Sequence, residues 1–331
     1  MSEPLLSVVG LSTQFDTRAG IAKAVDDVSF ALGRGEVLGL VGESGSGKSM
    51  TAYSILGLVD APGRVVAGRI LFDGHDLAAL SGEEMRQLRG NRIAMIFQDP
   101  AMTLNPVLRI DTQMIEAVRA HADLPWSTAR ERSRDALVKV GIPSPDERLA
   151  GYPHQFSGGM RQRVAIAIAM LNKPDLIIAD EPTTALDATI QGQILHEMQK
   201  LTRDAGAALL WITHDLSVIA GLADRVCVMY AGRIVEQGPT DAVLDTPRHP
   251  YTRGLLDSVP GNARPHEKLR QIQGMTPPLT ELPSGCAFRP RCPYATAECS
   301  ETPETRPYGA IGQTIRCFHP LAPETETEDW A

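Results

Sequence analysis

The chain of 331 residues has no apolar run long enough to cross a bilayer. Its purest apolar stretch, Val164 to Leu171, reads VAIAIAML, far short of the ~20 residues a membrane helix needs. The chain is therefore expected to be cytosolic or peripheral to a membrane. It also lacks a surplus of positive charge. The net charge is −8, which argues against a broad nucleic-acid footprint, and no nucleic-acid partner is expected. The opening MSEPLLSVVG has no basic segment leading into an apolar core, so no secretory signal is expected. There is no internal repeat and no long heptad pattern. Cysteine is scarce and unevenly spread: of five, four fall near the end of the chain, at Cys286, Cys292, Cys299 and Cys317. In a reducing cytosol such a cluster more often binds metal than forms disulfides.

What is present is ordinary soluble-protein usage, 43% hydrophobic and 22% charged residues, on a chain long enough for two or more units. EVLGLVG (36–42) is a short apolar run ending in glycine, the pattern of a buried parallel strand. GKSMTAYSILGL (47–58) then reads as a helix. Strand-like GRILFDG, a polar helix at SGEEMRQLRG and strand-like RIAMIF follow. Residues 105–171 carry helical patterns, among them IDTQMIEAVRAH. Strand-like runs return at DLIIAD, AALLWIT and DRVCVMY. Strands alternating with helices predict a parallel α/β sheet with a helical insertion. Past residue 240 the chain turns proline-rich without clear periodicity, and APETETEDWA reads as a solvated acidic tail.

Two stretches carry chemistry. GESGSGKS (42–49) fits G-x-x-x-x-G-K-[ST] and sits between a strand and a helix. Gly42, Gly45 and Gly47, with Glu43, Ser44 and Ser46, let backbone N–H groups curl around phosphate oxygens, and a helix N-terminus adds positive dipole. Lys48 supplies a charge for the outer phosphates, Ser49 a hydroxyl for Mg²⁺, and Met50 follows at the edge of the site. LIIADEP (176–182) is an apolar strand ending in two carboxylates. Asp180 suits Mg²⁺ and Glu181 the general base that polarises water. ATP and Mg²⁺ are thus the expected ligands.

QFSGGMRQR (155–163) resembles the signature of ABC ATPases, and the other marks of that family follow in order. FQDP resembles its Q-loop, with Gln98; TTALD its D-loop, with Asp187; ITHD its switch, with His214. The resemblance implies a P-loop (RecA-like) ABC ATPase core with a helical insertion. Its core would span 1–98 and 172–240, including an N-terminal β subdomain, its helical subdomain 99–171, and a small irregular cysteine-bearing region 241–331. It implies that Ser157, Gly158 and Gly159 face the ATP of a partner subunit, in a head-to-tail dimer with two sandwiched nucleotides. Gln98 would join Mg²⁺ and the attacking water to the helical insertion, and His214 would contact the γ-phosphate. An aromatic upstream of the phosphate loop would stack on adenine; Phe15 is the candidate, with packing inside an early strand as the other reading. Phe156 and Met160 depart from the commonest signature, which has Leu and Gln there.

IFQDPAMTLNPVLRI (96–110), PRHPYTRGLLDSVP (247–260) and GCAFRPRCP (285–293) are similar to the ATPase subunits of oligopeptide, dipeptide and nickel importers. That resemblance implies a paralogous second ATPase, two transmembrane permease subunits, an extracytoplasmic solute-binding protein and a place on the cytoplasmic face of the inner membrane. The competing readings are a non-transport ABC ATPase and an ATPase governed by a redox- or iron-sensing cysteine cluster.

The four late cysteines are spaced C-x5-C-x6-C-x17-C. Four thiolates satisfy tetrahedral Zn²⁺ or one [4Fe–4S] cluster. The tight pairs of zinc ribbons are missing, and wide, uneven spacing suits the cluster better than zinc; free thiols in a proline-stiffened loop are the third possibility. The resemblance implies an iron–sulfur cluster in some family members. Cys227, inside VCVMY, reads as a buried small hydrophobe.

Overall fold

A computed structural model describes residues 3–183, 188–259, 271–310 and 312–322. The chain forms two compact units: Met1–Leu6, Leu32–Glu36 and Phe72–Ile212 in the first, Ser7–Ala31, Val37–Leu71 and Thr213–Ala331 in the second. Among the described residues no helix is long and apolar enough to cross a membrane.

The first unit holds three parallel strands, Ile93–Ile96, Leu176–Asp180 and Ala208–Thr213, with Ile93 opposite Leu176 and Leu176 opposite Ala208. Every residue of Leu176–Asp180 is buried, which is why the run carries no polar alternation until Asp180. Helices Ile110–Arg119, Trp126–Lys139 and Gly158–Met170 pack on one another. Helix Ile110–Arg119 buries Ile110, Met114, Ile115 and Val118 on one face, the stripe that IDTQMIEAVRAH predicts. Gly158–Met170 instead buries apolar residues all round, so its central run serves a core and not a membrane. The polar helix Gly82–Leu88 starts at a capping box in which Ser81 and Glu84 exchange hydrogen bonds.

In the second unit Val37–Val41 runs parallel to Arg225–Tyr230, but the sheet then turns antiparallel. Arg233–Pro239 pairs antiparallel with Arg225–Tyr230, and Thr314–Ile315 pairs antiparallel with Arg233–Pro239. An all-parallel sheet is thus corrected to a mixed one. Strands Leu6–Thr17, Gly20–Leu32 and Gly63–Phe72 belong to a second, four-stranded sheet. Cys227 is fully buried in its strand, and its Sγ donates to Gln237 Oε1 at 3.3 Å.

The C-terminal stretch is less irregular than its composition suggests. Helix Pro250–Asp257 opens with proline in its first turn and His249 as cap, its Nδ1 accepting from the Tyr251 N–H at 3.0 Å. Two-residue strands Arg306–Pro307 and Thr314–Ile315 close a short hairpin onto the sheet. Two-residue strands are too short for period-2 alternation to register in a sequence.

Candidate nucleotide site

In the second unit the phosphate loop links the buried strand Val37–Val41 to helix Lys48–Leu56. Gly45 and Gly47 have φ of 77° and 104°, a region that L side chains avoid. At Gly47 a Cβ would fall 2.2 Å from the Ala24 carbonyl oxygen, so the loop needs glycine for space as well as conformation. Lys48 is buried, and its Nζ donates to the carbonyl oxygens of Gly42 at 2.8 Å and Glu43 at 2.9 Å. Ser44 and Gly45 are exposed, and Ser46 is buried. The Ser46 carbonyl accepts from the Gly232 N–H at 2.9 Å. Ser49 and Met50 are half-buried in the first turn of the helix. Phe15 is half-buried, its ring so close to Gly63 that a Cβ there would lie 2.5 Å from it. His214 is exposed just past its strand, where the Asp215 N–H donates to Thr213 Oγ1 at 3.0 Å.

In the first unit Asp180 is buried at the end of its strand, 1% exposed. Glu181 follows with φ 44°, a left-handed backbone that costs a non-glycine residue about 1 kcal/mol or more. Its N–H donates to the Ile212 carbonyl at 2.9 Å, which fixes the turn and aims the side chain off the strand axis. Gln98 Nε2 donates to Glu181 Oε2 at 3.2 Å, so two motifs 83 residues apart in the chain meet at one carboxylate. Ser157 caps helix Gly158–Met170, accepting from the Met160 N–H at 3.3 Å. Ser157 and Gly158 are exposed, and a Cβ on Gly158 would meet nothing within 4 Å. The start of that helix therefore has open space beside Gly158. Phe156 is buried with the Arg148 guanidinium 5.9 Å over its ring, so this departure from the common signature fills a core. Gly159 is half-buried behind Gly158. Asp187 lies outside the described residues.

The four late cysteines come together in the second unit. Cys286, Cys292, Cys299 and Cys317 line one small cavity with Phe288 and His319, and none is in a disulfide. The Cys286 N–H donates to the Cys299 carbonyl at 3.0 Å, closing the loop on itself. Burial pushes the Cys286 and Cys292 thiols up, and Cys317 up to about 12. Four soft donors around one cavity fit a metal cluster in kind, although among the described residues no group of three or more His, Cys, Asp or Glu stands ready around a single ion.

Sequence reasoning missed the residues behind the phosphate loop. Tyr251 Oη accepts from the Glu43 N–H at 2.9 Å, and the Glu43 carboxylate accepts from Thr276 and Arg291. Tyr251 and Arg291 sit in stretches that carry a family likeness, but no pattern in them points back to residue 43.

Two family models match: ABC transporter over residues 25–184, and oligopeptide/dipeptide transporter, C-terminal region, over residues 235–299. The chain is 47% identical to a dipeptide transport ATP-binding protein, DppD, of Escherichia coli (strain K12), over 96% of this chain and 97% of that one. It is 45% identical to an oligopeptide transport ATP-binding protein, OppD, of Haemophilus influenzae, over 95% and 97%. Among solved structures, the dimeric ATP-binding cassette MJ0796, bound to ADP and Pi in a post-hydrolysis state, matches with a TM-score of 0.65 at 25% identity, covering 71% of this chain and 98% of that one. The structure of cbiO1 from Clostridium perfringens, part of the ABC transporter complex cbiONQ, matches with a TM-score of 0.60 at 27% identity, over 72% and 90%.

Proposed function

This chain belongs to the ATP-binding subunits of the oligopeptide/dipeptide ABC transporters, and from that premise we propose that it binds and hydrolyses ATP to drive peptide uptake across the cytoplasmic membrane. The observation that carries the chemistry is the Gln98–Glu181 hydrogen bond at 3.2 Å, on a carboxylate that follows a buried strand-end aspartate. The loop 42–49 receives the phosphates: its N–H groups and Lys48 meet their oxygens, with Met50 bordering the site. To do so Lys48 exchanges the carbonyls of Gly42 and Glu43 for phosphate oxygen, a swap of neutral acceptors for charged ones. Ser49, Gln98 and Asp180 would hold Mg²⁺, which offsets phosphate charge; a hydroxyl, an amide oxygen and a buried carboxylate are hard donors that suit it. Glu181 accepts the proton of the attacking water, Gln98 holds that carboxylate in place, and His214 meets the γ-phosphate. Phe15 stacks on the adenine.

A second ATPase completes each site. Ser157, Gly158 and Gly159 face the nucleotide held by a paralogous partner subunit, Asp187 lines the same interface, and the two chains sandwich two ATP molecules. Residues 1–98 and 172–240 form the ATPase core, 99–171 relay its closure to two transmembrane permease subunits, and 241–331 form the C-terminal region. An extracytoplasmic binding protein delivers the solute, and the ATPase lies peripherally on the inner face of the membrane. The support is the 47% identity with a dipeptide transport ATP-binding protein over nearly the full length of both chains.

The test is reconstitution with the membrane subunits in sealed vesicles. ATP-dependent uptake of a labelled dipeptide is expected; copurification with ribosomes or DNA in place of membrane subunits would sink the reading. For the cysteines, Cys286, Cys292, Cys299 and Cys317 would hold a [4Fe–4S] cluster that clips the C-terminal region together, as a metal orders a segment with little core of its own. Protein purified without oxygen is expected to be brown and to carry about four irons per chain. A colourless protein with one zinc per chain would overturn this.

A further inference from the structure

Glu43 occupies the first variable position of the phosphate loop, and its carboxylate is engaged by Thr276 and Arg291. Arg291 Nη1 donates to Glu43 Oε2 at 2.6 Å and Nη2 to Oε1 at 3.0 Å, a two-point fork on both carboxylate oxygens. Thr276 Oγ1 adds a third bond at 2.8 Å. The Arg291 side chain is only 5% exposed. Its Nε donates to the Gln273 carbonyl at 2.9 Å, and its Nη2 also donates to the Gly274 carbonyl at 3.2 Å, so the guanidinium is fixed from both sides. It lies 5.8 Å from the Tyr230 ring centroid and 6.0 Å from that of Phe288, which fits cation–π contact. Burial alone would push the Glu43 carboxyl up; the bonds from Arg291 and Thr276 outweigh it and hold the group below the usual carboxylate range.

The same residue is tied down through its backbone. Its N–H donates to Tyr251 Oη, and its carbonyl accepts from Lys48 Nζ. Glu43 is therefore a crossbar: one end engages the lysine that serves the phosphates, the other the turn Arg289–Arg291 between Cys286 and Cys292. A carboxylate held at both oxygens leaves the peptides on either side of residue 43 little room to rotate. Those peptides must already point correctly when phosphate arrives.

We infer that Arg291 is a positioning residue for ATP binding: acting through Glu43, it pre-orders the phosphate loop and makes the cysteine-bearing turn part of that loop's scaffold. The inference rests on the reading of residues 42–49 as the ATP loop. Ordering one residue on binding costs about as much as a tenfold loss of affinity, so freeing Glu43 weakens MgATP binding by about tenfold. Turnover at saturating ATP changes much less, because Glu181 and Gln98 are untouched.

The full chain is titrated with a fluorescent ATP analogue and Mg²⁺, and its ATPase is assayed in the assembled transporter. Arg291→Ala is expected to raise Kd and KM about tenfold with kcat within about twofold of the parent. Glu43→Ala should weaken MgATP binding to a similar degree, and the double variant should bind no worse than either single one, because both break the Arg291–Glu43 contact. Arg291→Lys keeps the charge and loses the fork, so its Kd should fall between; it also covers the case in which the alanine variant does not fold. The inference is overturned if Arg291→Ala and Arg291→Lys bind like the parent while Lys48→Ala does not bind. It is also overturned if the Arg291 and Glu43 penalties multiply. If Lys48→Ala itself binds like the parent, the assignment of the ATP loop is wrong and this inference falls with it.

Discussion

The phosphate loop and the cysteine-bearing segment differ in what builds them. The loop 42–49 works through its backbone: glycines at φ 77° and 104°, N–H groups at a helix start, and one buried lysine. The segment 285–317 works through side chains: among its described residues there are only short helical turns and two-residue strands, yet Phe288 is 3% exposed. The Phe288 ring meets Tyr230 at 5.2 Å and Tyr251 at 5.4 Å. Few residue types can supply a backbone phosphate cradle, so that task stamps a pattern on the chain. Many apolar and polar combinations can fasten a loop to a sheet, so fastening leaves no pattern.

The sharpest test of the backbone-and-motif half is chemical. Glu181→Gln keeps a hydrogen-bonding side chain on the same strained turn but cannot accept a proton. Steady-state hydrolysis should fall by roughly 10²–10⁴-fold while MgATP still binds. Near-parental turnover would place the base elsewhere and strip the Gln98–Glu181 contact of its meaning.

The side-chain half breaks at Phe288. Replacing a buried phenylalanine by alanine costs about 3–5 kcal/mol, read as a lower midpoint of chemical denaturation. Because Arg291 follows three residues later on the same turn, MgATP binding should weaken as well. A variant that loses the stability but binds MgATP at parental Kd would show that the two regions are energetically separate.

Much of the first unit and of the ATP site was legible. Buried strands such as Leu176–Asp180 read as apolar runs because both faces are covered, and the helix Ile110–Arg119 announces its inward face by spacing. Asp180 and Glu181 stand out as candidates because a strand ending in two carboxylates comes after a phosphate-loop motif, and the structure puts Asp180 at a buried strand end with Glu181 beside Gln98. The antiparallel edge was not legible: Arg233–Pro239 follows its neighbour after a tight turn at Ala231 and Gly232, and its run RIVEQGP mixes charged, polar and turn residues without a strand period. Nor was the Glu43–Arg291 contact, since it joins residues 248 apart through a fork of atoms that charge alone does not reveal. The phosphate motif leaves position 43 variable, and here that freedom holds a residue with a structural task of its own.

The smallest predicted effect probes how the C-terminal helix is fastened, through pH. His249 is 1% exposed, and burial pulls its imidazole down to about 3. It stays neutral in the fold, accepting from the Tyr251 N–H, whereas in the unfolded chain it takes a proton near pH 6.5. The unfolded state thus binds more protons throughout that window. The stability from neutral His249 is complete above about pH 6.5 and is lost as pH falls toward about 3, at up to about 1.4 kcal/mol per pH unit. The neighbouring Glu236 acts in the opposite sense: burial pushes its carboxyl up, so the fold takes that proton before the unfolded chain does. Its oxygens accept from the N–H groups of Arg248 and His249 and from Gln313. Between pH 6.5 and about 5 the histidine by itself removes about 2 kcal/mol of stability, against which Glu236 works. His249→Asn keeps an oxygen to cap the helix and cannot titrate. Its denaturation midpoint should therefore lose less than the parent's as pH falls over that range; equal slopes would mean that the acid sensitivity arises elsewhere and that His249 fastens the helix without setting its pH limit.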